Sequence, residues 1–244
     1  MPNYFVPHLA LNLALKTVLP RTLGLLFLLT AAAVNAKPIA FSDGTTVMHE
    51  RNTNMLETQV FYAPKYWWSV GPGFIQLTSD DKKIQREITY LQASYLVKRW
   101  NMEDAQANIF TWGGIGTAKS TVKTGDSRSD FQGNTTVTRW GAQGDYETRR
   151  VYASFKTDGY SSSRFTHRID TLQLGLAPYE HDYDILATWF VLQARHYTGG
   201  LREAEGRTPR IEKTAILRLF KGPLWVEIGI NQEHKSQLMF MFNY

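Results

Sequence analysis

Ser236-Gln237-Leu238-Met239-Phe240-Met241-Phe242-Asn243-Tyr244 alternates along its length and ends on an aromatic. Successive side chains of a strand point to opposite faces. The nonapeptide therefore predicts a β-strand whose one face is wholly greasy: Leu238, Phe240, Phe242 and Tyr244. A soluble domain rarely closes on such a strand.

The same rhythm runs back through the chain. Stretches rich in Val, Ile, Leu, Tyr, Phe, Trp and Thr alternate with polar breaks. They fall at 44–51, 55–62, 66–79, 84–100, 105–118, 134–146, 148–158, 165–177, 184–198, 209–221, 223–232 and 236–244, which makes about 12 strands. The hairpin at 44–62 is the weakest, so ten remains an alternative. Counted back from Tyr244, the breaks at 222, 180–183, 147–148, 101–104 and 63–65 are tight. Those between them include the polar segments 120–133 and 199–208. Every tight break has an aromatic beside it: Tyr62 and Tyr66, Trp100, Tyr146, Tyr179 and Tyr183, Phe220 and Trp225.

The N-terminal segment predicts export. Lys16 and Arg21 precede the apolar run 22–34, and Val34-Asn35-Ala36 is a small-x-small cleavage site. That is the order of a cleaved secretory signal peptide over 1–36. The run is too short for a spanning helix, which needs roughly 20 apolar residues. Removing 36 of 244 residues leaves 208, enough for one β domain. The formal charge falls from +5 to +3, because Lys16 and Arg21 leave with the leader. So weak a positive balance gives no reason to expect a nucleic-acid partner. Cysteine is absent, so no disulfide braces the fold.

From Lys37 to Tyr244 the chain resembles the Gram-negative outer-membrane β-barrel class. The resemblance rests on the signal peptide, the strand rhythm, the aromatic turns and Leu238-x-Phe240-x-Phe242-x-Tyr244. It implies an all-β, antiparallel up-and-down transmembrane barrel with both termini periplasmic. It also implies that the terminal motif is the signal read by the barrel-assembly machinery, and that the partners are that machinery and outer-membrane lipids. The last residue here is Tyr, where the class most often has Phe. The class includes channels, lipases, adhesins and inert barrels, so fold does not fix function.

Period-2 alternation assigns faces. Leu224, Val226, Ile228 and Ile230 face lipid, as do Ala215, Leu217 and Leu219, Val151, Ala153 and Phe155, and Leu172, Leu174 and Leu176. The lumen then receives Arg86, Lys98, Arg139, Arg150, Lys156, Arg195 and Arg218 against Glu57, Asp145, Asp158, Glu212 and Glu227. This mixed lining supports two readings, a salt-bridged plug or a narrow passive channel for small polar solutes with a slight preference for anions. On this register Leu217→Arg impairs insertion, and Arg218→Leu is much milder. Glycines at 71, 73, 113, 114 and 116 mark bulges or close packing.

No catalytic signature stands out. His234 and Ser236 share the i, i+2 spacing of a nucleophile and base on one strand face, and Gln237 follows. That is the weak ground for a lipid hydrolase. His49 with Glu50 and His167 with 161–163 lack triad or metal-ligand spacing, and neither metal nor cofactor is expected. A soluble periplasmic ligand-binding β protein is the third alternative, and it would have to expose the apolar face of nearly every strand.

Overall fold

The computed structural model describes residues 41–127, 132–180, 185–199 and 211–244; the expected signal peptide and most of the 199–208 break lie outside them. Twelve strands follow in order: β1 (Gly44–Arg51), β2 (Met55–Lys65), β3 (Trp68–Thr78), β4 (Ile84–Asn101), β5 (Ala105–Val122), β6 (Gly133–Thr148), β7 (Val151–Ser162), β8 (Thr166–Leu176), β9 (Ala187–Gly199), β10 (Ile211–Lys221), β11 (Leu224–Asn231) and β12 (Ser236–Asn243). Each pairs antiparallel with its sequence neighbour, and β1 pairs with β12, so the sheet closes on itself. Thr45 and Tyr244 exchange backbone hydrogen bonds of 2.7 and 2.9 Å at the seam. Closure pairs the backbone groups that an edge would expose.

The chain ends share one rim with the turns at 66–67, 102–104, 149–150 and 222–223; we call it the terminal rim and its opposite the distal rim. The expected tight break at 180–183 is instead a connection over 177–186. Pro178 has no N–H to extend the ladder. In the other direction, the polar segment expected over 120–133 is partly strand, because β5 runs on to Val122 and β6 begins at Gly133.

The outer face is apolar. Leu91, Ile115, Leu174, Phe190, Leu192, Ile228, Ile230 and Leu238 are exposed, Leu192 at 69%. A soluble protein rarely presents an apolar patch of this extent, whereas a transmembrane barrel presents it to lipid. Tyr62, Tyr66, Trp67, Trp100, Tyr146, Tyr179 and Tyr244 are exposed near the terminal rim. Such a girdle suits the interface between hydrocarbon and water. Phe220 and Trp225 do not join it: both turn inward and pack on one another, with ring centroids 6.0 Å apart.

Two features break the regular alternation. In β4 one extra residue bulges between Leu96 and Lys98, where Leu96 pairs with Phe110 and Lys98 with Ile109. A second irregularity lies between Tyr62 and Lys65. Neither falls at the glycines. Gly73 serves instead as a seat for an aromatic ring, since a Cβ there would come within 2.3 Å of Tyr90. Gly141 does the same for Trp112, at 2.4 Å.

Candidate functional site in the barrel lumen

Inward side chains form a sequence of environments along the barrel. Toward the distal turns they are mainly apolar: Ile75, Leu77, Ile84, Ile88, Val122 and Val137 belong to one buried cluster. Next comes a charged belt. Toward the terminal rim the wall is aromatic and methionine-rich, with Trp189, Phe220, Trp225, Met239 and Met241.

The belt is built around three arginines. Arg139 Nη2 lies 3.2 Å from Glu57 Oε1 and 3.0 Å from Asp158 Oδ1. Its guanidinium also sits 4.3 Å from the ring centre of Tyr90, itself seated on Gly73. Asp158 further accepts from Trp112 Nε1 and Lys156 Nζ, both at 3.0 Å. Arg195 Nη2 meets Glu50 Oε1 at 2.6 Å. Arg218 donates Nε to Glu227 Oε1 at 2.7 Å and Nη2 to Gln173 Oε1 at 2.9 Å. It is held between Tyr152 and Trp225, 4.4 Å from each ring centre.

Two of these pairs cross the lumen. Glu57 is on β2 and Arg139 on β6; Glu50 is on β1 and Arg195 on β9. Each pair joins strands four positions apart around the ring. In a circular section, twelve strands about 4.8 Å apart and tilted by roughly 40° would place such Cα atoms about 20 Å apart. That exceeds the summed reach of an arginine and a glutamate side chain. The barrel is therefore flattened at the belt, and side chains bridge its short axis.

Glu50 and Glu57 are themselves direct cross-strand partners. Like charges placed so are destabilising. Here each carboxylate is drawn to an arginine of a different wall. An aromatic row runs along one wall nearby: on adjacent strands β7, β8 and β9, His167 lies between Tyr160 and Tyr197, with ring centroids 6.2 and 6.4 Å away.

Beside the bridges is a cavity of about 140 Å³, lined by Arg139, Arg195 and Arg218 together with Glu50, Asp158 and Glu227. About 10–15 Å³ of such space holds one water, so there is room for several. Around it are buried polar atoms with no hydrogen bond among the described residues: Nε and Nη1 of both Arg139 and Arg195, Gln92 Oε1 and Thr171 Oγ1.

The lumen charges expected from alternation divide as follows. Arg86, Arg139, Asp145, Lys156, Arg195, Glu212, Arg218 and Glu227 all face inward. Lys98 does not. The bulge sends Val97 and Lys98 out together, and Lys98 Nζ lies 5.9 Å from the Trp100 ring. Arg99 turns inward in its place and donates to Asn108 Oδ1 at 2.7 Å. Arg150 is not in the lumen either; it sits in the exposed two-residue turn before β7 and donates to Pro178 O at 3.4 Å. Glu50 joins the lining, whereas its sequence neighbour His49 faces the other way and bonds Thr58 Oγ1 at 2.8 Å. Among the described residues six cations (Arg86, Arg99, Arg139, Lys156, Arg195, Arg218) then face seven acids (Glu50, Glu57, Asp145, Glu147, Asp158, Glu212, Glu227). The expected excess of positive charge disappears.

His234 occupies the turn before β12, exposed, with a φ of 58°. Ser236 opens β12 on its outer face, and Gln237 points into the lumen, where it accepts from Gln193 at 3.0 Å. No hydrogen bond joins His234 to Ser236 among the described residues, so the nucleophile–base contact of a hydrolase is not formed. Leu238, Phe240 and Tyr244 of the terminal motif are exposed on the barrel exterior, and Phe242 is half-buried there, its ring 5.9 Å from that of Tyr244.

A closed antiparallel sheet, apolar outside and charged within, defines a transmembrane β-barrel of the small outer-membrane type. No family model and no curated protein matches the chain. Among solved structures it is similar to the KdgM porin, seen alone and in complex with disordered oligogalacturonate, at 10% identity and a TM-score of 0.43, covering 82% of this chain and 98% of that one. It is similar also to CdiB from Acinetobacter baumannii, at 8% identity and a TM-score of 0.34, covering 84% of this chain and 61% of that one. Likeness at this level carries no argument about the lumen.

Proposed function

We propose that the protein is a narrow passive channel for small polar solutes in the outer membrane, exported by its first 36 residues and inserted with the distal rim outward. The observation that carries this reading is the set of unmade hydrogen bonds around the lumen cavity. A lumen filled only for stiffness would satisfy its buried polar atoms, because each one left unpaired is destabilising. Arg139 and Arg195 instead keep unpaired N–H groups in side chains that line a cavity large enough for several waters. A polar passage lined by charges of both signs suits small polar solutes.

The rival reading, a plugged structural barrel, draws on the bridges that cross the short axis. Planar-bilayer recording separates the two. The channel reading expects small discrete conductance steps from purified, inserted protein. It also expects larger steps from Glu57→Gln, which loosens one bridge. Silence from both proteins, shown to be folded, would leave the plugged barrel.

A further inference from the structure

Every buried arginine of the belt has a carboxylate. Arg139 has Glu57 and Asp158, Arg195 has Glu50, and Arg218 has Glu227. Arg86 differs. It is 1% exposed, yet no carboxylate among the described residues lies within 4 Å of it. Its Nε donates to Ser120 Oγ at 3.0 Å, its Nη1 has no partner, and the Phe165 ring covers the guanidinium at 3.7 Å. Its surroundings are the apolar distal cluster, with Leu77 its direct partner on β3.

Position gives this contact its meaning. Arg86 is the third residue of β4, just inside the distal rim. Phe165 belongs to the three-residue turn between β7 and β8, across the mouth. The turn's backbone is fixed by two bonds: Ser162 N donates to Phe165 O at 2.9 Å, and Phe165 N donates to Ser162 Oγ at 3.0 Å. The phenyl ring can thus leave Arg86 by side-chain rotation while the turn stays in place. An apolar collar excludes water when closed, and hydrophobic constrictions gate pores in this way. A cation that meets no counter-charge among the described residues, in so low a dielectric, attracts anions and repels cations strongly. The aromatic face substitutes for the missing anion while the mouth is shut.

We propose that Arg86 and Phe165 form an anion-selective gate at the distal mouth: Phe165 is the stopper, and Arg86 is the residue that sets charge selectivity once the ring swings away. The inference rests on the channel reading and adds to it, since the balanced belt supplies no preference of its own.

The test is the reversal potential and conductance of the full chain in planar bilayers under a tenfold KCl gradient. It compares wild type, Arg86→Gln, Arg86→Lys, Leu77→Glu and Phe165→Ala, each first shown folded by its heat-dependent gel mobility. Phe165→Ala is expected to raise open probability severalfold and keep an anion-selective reversal potential. Arg86→Lys keeps the sign. Arg86→Gln moves the reversal potential most of the way to zero. Leu77→Glu does the same by giving Arg86 a partner, and so covers the case in which Arg86→Gln fails to fold. Conducting channels whose reversal potential ignores both Arg86→Gln and Leu77→Glu would overturn the gate and leave the channel standing. Silence from every folded variant, Phe165→Ala included, would overturn the channel and the gate with it.

Discussion

At the scale of single residues, neighbours in sequence meet opposite solvents. Leu217 faces lipid and Arg218 the lumen, where the guanidinium, itself between two aromatic rings, pairs with Glu227. Leu217→Arg is expected to cost about 2–4 kcal/mol if the site lies near mid-membrane. Alternation alone suggests that Arg218→Leu is much milder, and the ion pair reverses that expectation. Removing one partner of a buried pair leaves the other charged and unpaired, at about 3–5 kcal/mol. Urea titration of folded protein in lipid vesicles should show both losses. Adding Glu227→Leu should recover most of the Arg218→Leu loss and none of the Leu217→Arg loss. The faces of these residues were legible because period 2 holds without interruption through β10 and β11. Their energetics were not, because Arg218 also touches Tyr152 and Gln173, on strands far away in sequence.

At the scale of the element, β4 shows where alternation misleads. Leu96, Val97, Lys98, Arg99 and Trp100 contain no glycine or proline to mark a break, yet one extra residue resets the phase. A β-bulge sets two residues against one, so Lys98 and Arg99 exchange the sides that a regular strand would give them. Deleting Val97 should therefore regularise the strand, keep Arg99 on Asn108, and leave the folded fraction near wild type in a heat-shift gel. Deleting Leu91, where β4 pairs regularly, should invert one part of the strand against the other and abolish the folded band. The strand count was legible even at the weak first hairpin, which forms with β1 and β2 in full register. The connection over 177–186 is wider than the tight break that the sequence suggests at 180–183, because alternation locates a break without fixing where the flanking ladder ends.

At the scale of the whole molecule, closure and membrane residence go together. A 12-strand ring has no free edge, and its outward apolar side chains require lipid. Purified protein should run faster unheated than boiled on a denaturing gel, and cells should hold it in the outer-membrane fraction. Replacing Phe242 and Tyr244 with Ser should reduce that fraction and leave the total synthesised unchanged. Release of wild type by osmotic shock would contradict the assignment. The flattening of the belt was not legible in any stretch of sequence. It depends on β1 meeting β9 and β2 meeting β6, and neither pair shares a ladder.

The facing glutamates of the first hairpin bear on the order in which the molecule assembles. Left to themselves, β1 and β2 set Glu50 directly against Glu57, so this hairpin gains least from forming early. Gln59 and Tyr90 also donate to Glu57, but positive charge against the two carboxylates arrives with Arg139 and Arg195 on the opposite walls. Since β1 is also the strand that meets β12, filling the interior and sealing the ring become one cooperative event. The clasp that shuts the barrel is thus fastened from the inside.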